Sequence, residues 1–146
     1  MEMYDIQLKR IYSEATPEDG FRVLVDRLWP RGKRREALAL TAWYRDASPS
    51  STLRGQWHRG EISDAVFACR YRDHIARVED CLVPLMRWCR QGRLTLLTAA
   101  RHPEQSHLPI LREAILAALC AEDRLADGEE FSSPACYAAQ PSRYDE

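Results

Sequence analysis

Two short stretches of this chain hold residue types able to do chemistry. The first, DRLWPRGKRR at residues 26 to 35, sets Asp26 and Trp29 among five basic residues: Arg27, Arg31, Lys33, Arg34 and Arg35. The second, RHPEQSH at residues 101 to 107, places Arg101, His102, Ser106 and His107 just ahead of an apolar helical segment. Guanidinium forks match phosphate and carboxylate geometry, and a helix N-terminus adds unpaired N–H groups and a positive dipole end. The candidate ligand contacts are therefore Arg27, Trp29, Arg31, Arg101, Ser106 and His107, all directed at an anion. Asp26 and His107 are the candidates for proton transfer. A carboxylate can act as a base, and an imidazole at a helix start is held neutral by the dipole. The plainer alternative is structural: Arg27 pairing with Asp26 or a buried carboxylate, and Ser106 capping its helix.

Other motifs are missing. The chain has no G-x-S-x-G, Walker, G-x-G-x-x-G or H-E-x-x-H pattern, and His58 and His74 have no partner at ligand spacing. Neither a metal nor another cofactor is expected. Trp29, Trp43 and Trp57 stand near Arg31, Arg45, Arg54 and Arg59, a mixture that can stack bases and pair phosphates. It falls short of the basic stripe of a dedicated nucleic-acid binder.

The elements that must position these groups follow from periodicity. Residues 3 to 11 alternate as a strand, FRVLV at 21 to 25 reads as a buried strand interrupted by Arg22, and RLTLLT at 93 to 98 as another. Residues 36 to 48 fit a short helix or a strand equally. Ser50 or Ser51 caps a helix over TLRGQWH, Ser63 opens a longer one, and Pro84 forces a kink or a pair of helices near residues 80 to 84. Gly92 ends that segment. Ser106 and Pro109 open a helix with an apolar stripe at Leu108, Leu111, Ile115 and Leu119. Strands separated by helices predict a single three-layer-like α/β domain with a partly parallel central sheet flanked by helices. Ligands in such sheets sit beyond the carboxyl ends of the strands, where both candidate stretches fall.

Charge and cysteine content narrow the class. The formal net charge is -1, yet residues 1 to 120 hold 19 Lys and Arg against 15 Asp and Glu, while residues 121 to 146 hold 2 against 7. An α/β domain over residues 1 to 120 with an acidic, partly ordered extension over 121 to 146 is the expected division. A chain of 146 residues needs no disulfide framework, and its five cysteines form no C-x-x-C pair. They are expected to be reduced in a cytoplasmic protein, with Cys69, Cys89 and Cys120 as small core residues. No signal segment or bilayer span is apparent, so no membrane partner is expected.

From GFRVLVDRLWPRG at residues 20 to 32 onward, the chain resembles the YeaO-like family of small bacterial proteins, domain of unknown function family 488. The resemblance continues through Trp43, Pro49, Ser50 and Arg54, through Phe67 and Tyr71, and through LTLLTAARHPEQSH at 94 to 107. It covers roughly residues 3 to 120, implies an α/β fold, and supplies no activity. It draws attention to Asp26, Arg27, Trp29, Pro30, Arg31 and Gly32. In the second stretch the family wording S-A-K-D-x-x-x-N-H is altered: Ala99, Arg101, His102 and Ser106 stand at its serine, lysine, aspartate and asparagine, while His107 matches. The resemblance to longer relatives with cysteines at the positions of Thr98 and Ser106 implies thiol or metal chemistry there, which is not expected here because neither residue is cysteine. Binding of a phosphorylated or other anionic small molecule is the leading expectation. An enzyme acting on a phosphoester or nucleotide-linked bond and a nucleic-acid-binding module are the alternatives.

Overall fold

The last strand in the sequence is the centre of the sheet. In the computed structural model, which describes residues 4–78 and 80–127, β4 (Leu94–Thr98) lies between β1 (Ile6–Arg10) and β2 (Phe21–Leu24). β3 (Ala42–Trp43) completes the order β1-β4-β2-β3. All pairings among these strands are parallel, so the expectation of a partly parallel sheet is exceeded. All five β4 residues are buried, as the apolar run LTLLT requires of a parallel strand covered on both faces. Arg10 is in register with Thr98, and Leu24 with Leu97, which brings the carboxyl ends of three strands to one edge.

Alternation divides the side chains between the two faces. Leu24 and Leu97 join Ile11 and Leu38 in one apolar cluster, against which Tyr12, Trp29, Leu40, Trp43 and Ala99 pack. Arg22, which interrupts the FRVLV run, is buried because Asp19 neutralises it: Nη1 lies 2.6 Å from Oδ2, and Nε and Nη2 donate to the Leu38 carbonyl. Lys9 reaches the same carboxylate at 2.9 Å. The turn that carries Asp19 ends on Gly20, whose positive φ of 66° lets Phe21 N–H donate to the Arg93 carbonyl at 2.9 Å. A Cβ there would be driven into that carbonyl oxygen.

Helices fill the long connection from β3 to β4. These are α2 (Ser51–His58), α3 (Asp64–Arg77) and α4 (Val83–Gln91), and α1 (Arg35–Leu38) is one turn between β2 and β3. The ambiguous stretch 36 to 48 thus contains both a helical turn and a two-residue strand, each too short to impose a period. Ser50 and Ser63 accept the N–H groups of Leu53 and Val66, capping α2 and α3. The chain breaks between α3 and α4 rather than kinking, and Pro84 sits in the first turn of α4, where its missing N–H is harmless. Phe67, Tyr71 and Ile75 form the buried stripe of α3.

α5 (Leu108–Asp127) follows β4, with Leu108, Leu111 and Ile115 buried. The described residues divide into two units between Ile115 and Leu116. The first holds the sheet; of the second, the described part is the continuation of α5 from Leu116 to Asp127. The expected partly ordered acidic extension lies, beyond Asp127, outside the described residues. Among the described cysteines Cys81 and Cys89 are buried, whereas Cys69 and Cys120 are exposed, which corrects their expected place in the core. They stand on the outward sides of α3 and α5, a distinction of about one residue in helical phase. No helix among the described residues is long and apolar enough to cross a membrane.

Candidate functional site

A cleft of about 600 Å³ opens at the carboxyl ends of β1, β4 and β2. Arg10 reaches it from the last position of β1, Thr98 to Arg101 from the end of β4, and Asp26 from just past β2. The opposite wall is helical. α2 contributes Arg54, Trp57 and His58, and α3 contributes Phe67. His102, Gln105, Ser106 and His107 close the cleft ahead of α5, and Pro49 lies beside the start of α2.

Asp26 is fully engaged. Its Oδ1 accepts the Thr98 hydroxyl at 2.8 Å and its Oδ2 accepts the Ala99 backbone N–H at 2.7 Å, bracing β2 against β4. Thr98 Oγ1 in turn accepts the Ala100 N–H at 3.2 Å, so the hydroxyl both donates and accepts. The Asp26 carbonyl accepts the indole N–H of Trp43 at 2.8 Å.

His107 sits one residue before α5, and its carbonyl accepts the Leu111 N–H. Its ring is buried, with Nε2 2.7 Å from the Val25 carbonyl and 3.8 Å from Asp26 Oδ1. A carbonyl oxygen can only accept, which assigns the proton to Nε2. Burial lowers the imidazole's affinity for a second proton, the nearby Asp26 charge and the Val25 hydrogen bond oppose that, and Arg54 reinforces it. The outcome is a neutral ring. Tyr71 meets it edge-on with ring centroids 5.7 Å apart and donates its hydroxyl to the Ala47 carbonyl. Burial holds that hydroxyl far above its ordinary pKa, so it stays a donor.

Ser106 does what a capping residue does: its Oγ accepts the Leu108 N–H at 3.1 Å and donates to the Pro103 carbonyl at 2.6 Å. Arg101 and His102 are exposed residues on the rim. The second stretch therefore arrives at the cleft together with Asp26.

The basic stretch does not follow it. Arg27 is half-buried and donates to the carbonyls of Ser48 at 3.1 Å and Pro49 at 3.4 Å, clamping the loop that leads into α2. Trp29 turns into the apolar cluster on the other face, meeting Trp43 edge-on at 5.1 Å and donating to the Lys33 carbonyl at 2.7 Å. Arg31 is exposed outside the cleft, and its carbonyl accepts the Tyr12 hydroxyl. Arg10 and His58 were not among the sequence candidates, whereas Arg54 and Trp57 stood only in the diffuse mixture of tryptophans and arginines able to stack bases and pair phosphates. The signal in the sequence was the i, i+3, i+4 spacing of Arg54, Trp57 and His58, which places all three on one helical face. Arg10 had no local signal beyond its position at a strand end.

The lining is electropositive. Arg10, Arg54 and Arg101 line the cleft beside a single carboxylate, Asp26, whose oxygens are already bonded, and the Arg10 guanidinium lies over the Tyr12 ring, 4.8 Å from its centroid. Among the described residues none of the three forms an ion pair, and Arg10 Nε is buried without a hydrogen-bond partner. Buried N–H donors are ordinarily satisfied, so an acceptor delivered at Arg10 would complete the site. The described residues contain no group of three His, Cys, Asp or Glu side chains placed to hold a metal.

A family model described as the inactive DUF488-N3 subclade matches residues 5–138. The uncharacterized protein YeaO of Escherichia coli K12 is 40% identical over 110 residues, which are 75% of this chain and 95% of that protein. The uncharacterized proteins Mb3100c of Mycobacterium bovis and Rv3073c of Mycobacterium tuberculosis H37Rv are each 33% identical over 110 residues, 75% of this chain and 92% of theirs. No solved structure matches the chain.

Proposed function

The chain belongs to the inactive DUF488-N3 subclade, and from that premise we propose that it is a binding protein for a phosphorylated or other anionic small molecule rather than an enzyme. The observation that carries this reading is the convergence of Arg10, Arg54 and Arg101 on one cleft with no carboxylate partner among the described residues. The description of the subclade as inactive supports the non-catalytic half. So do the two candidate proton-transfer groups, which are spent on structure. Asp26 binds a hydroxyl and an N–H across the strand ends, and His107 holds the Val25 carbonyl.

A volume of about 600 Å³ suits a small molecule, whose pockets run from about 300 to 1,000 Å³. We assign the anion to Arg101, as its sequence position suggests, with Arg10 and Arg54 beside it and Arg27 in support of the Pro49 wall. Ser106 and His107 shape the floor. Each charge-assisted hydrogen bond contributes about 1.5 to 3 kcal/mol, so loss of one guanidinium should weaken binding about tenfold or more.

Titration calorimetry against inorganic phosphate, pyrophosphate and phosphosugars, with Arg54→Ala and Arg101→Ala alongside, tests the assignment. Binding by the parent protein that both variants lose supports it; unaltered affinity in folded variants overturns it. Turnover of a phosphoester that disappears in His107→Ala would overturn the non-catalytic half.

A further inference from the structure

One wall of the cleft is not explained by an anion alone. Trp57 follows Arg54 by three residues on α2 and precedes His58, so the indole and the guanidinium are neighbours on the helix surface. The indole is fixed twice over. Its Nε1–H donates to Asp64 Oδ1 at 2.9 Å, and one face stacks on Phe67, with centroids 3.7 Å apart and planes 13° from parallel. Phe67 is itself buried and backed by Tyr71 at 5.7 Å. Among the described residues no second ring and no cation contacts Trp57, although Arg45 covers Trp43 and Arg35 covers Trp29.

A half-buried indole held in this way needs no further ordering to support a flat ring, and base-to-aromatic stacking tolerates any base because each has a π-face. A phosphate alone or a bare phosphosugar would make no use of it. Resting on the anion reading above, we propose that the ligand is a nucleoside phosphate, with its base against Trp57 and its phosphate among Arg10, Arg54 and Arg101. The heteroaromatic ring and the anion are then recognised by adjacent positions of the same helix, and the cleft volume accommodates both.

The test compares three probes on the full chain by calorimetry: AMP, ribose 5-phosphate and inorganic phosphate. AMP is expected to bind about tenfold or more tighter than ribose 5-phosphate, the range that one stacked base supplies. Trp57→Leu should close that gap while leaving ribose 5-phosphate affinity unchanged. Equal affinities for AMP and ribose 5-phosphate in the parent protein overturn the nucleoside inference and leave the anion reading standing. Binding of none of the three overturns both. Because Trp57→Leu removes a packed ring, Trp57→Phe is measured in parallel: it should keep the preference for AMP but lose the quenching of tryptophan emission on AMP addition. Quenching that persists undiminished in Trp57→Phe, or an AMP preference that survives in folded Trp57→Leu, removes Trp57 from the site and overturns the proposal.

Discussion

Arg22 Nη1 lies 2.6 Å from Asp19 Oδ2 in the interior, with the two side chains 5% and 1% exposed. Burial alone would raise the Asp19 pKa, but hydrogen bonds from Lys9, the Thr16 backbone, Arg22 and the Thr16 hydroxyl overcome it and hold the carboxyl far below the ordinary range. Removing one partner of such a pair strands the other charge. Asp19→Asn should therefore cost about 3 to 5 kcal/mol, read by urea unfolding at pH 7. The unfolded chain binds the extra proton first, so this contribution is complete above about pH 4 and is lost as pH falls toward the folded value. The parent protein should lose stability steeply in that acid range, and Asp19→Asn, already without the charge, more gently.

His107 gives a second pH dependence in a different window. Its folded pKa is lowered, so between the folded and unfolded values the unfolded chain carries the extra proton. Stability from the neutral ring is fully present above about pH 6.5 and declines as pH falls through the folded value. His107→Gln, whose amide can still donate to Val25, should flatten the slope between pH 7.5 and 5.5 in denaturant unfolding. His74 is shifted in the same direction by burial and Arg27, so the slope should shrink rather than vanish.

Arg27 and the cleft arginines should separate cleanly. Arg27→Ala deletes hydrogen bonds to the Ser48 and Pro49 carbonyls and should lower stability by about 1 to 3 kcal/mol. Phosphate affinity should change by less than about threefold, against about tenfold or more for Arg54→Ala. Thermal unfolding and calorimetry on the same preparations would show the two effects fall on different variants. A larger affinity loss in Arg27→Ala than in Arg54→Ala would reverse the assignment.

Gly20 is required by its backbone. Alanine there would combine a left-handed φ with a Cβ pressed into the Arg93 carbonyl, and Gly20→Ala should cost about 2 kcal/mol or more in urea unfolding. Gly32 also has a positive φ, but no atom lies near its absent Cβ. Gly32→Ala should carry only the backbone cost, about 1 kcal/mol.

β2 and β4 were legible because they are apolar runs bounded by turn residues, whereas β3 was not, and the starts of α2 and α3 were legible because serines stand where caps belong, Ser50 rather than Ser51 serving for α2. Membership in the family was legible from the block at residues 20 to 32, and the family match over residues 5–138 shows it. The lining of the cleft was legible only in part. Asp26 lies just past β2, Arg101, Ser106 and His107 lie in the connection from β4 to α5, and the sheet rule places such segments together. Arg10 arrives through the strand order β1-β4-β2-β3, which no local pattern encodes, whereas Arg54 shares one helical face with Trp57 and His58, a local pattern that does not say where the helix packs. Trp29 went to the opposite face because an indole beside Leu24 and Leu97 buries apolar area that a loop tip would leave in water. Charge density along the chain was thus a weaker guide to the cleft than helical phase.

The central position of β4 also bears on synthesis. On a ribosome that has released only residues 1 to 93, β1 lacks β4, its strand partner among the described residues, and β2 is left with the two-residue pairing to β3. The nascent chain then exposes the edges of strands destined for burial, with nothing between them to zip them together. Folding of the sheet waits for the emergence of five residues, LTLLT, so the interval before they clear the exit tunnel is when a holding chaperone would matter most.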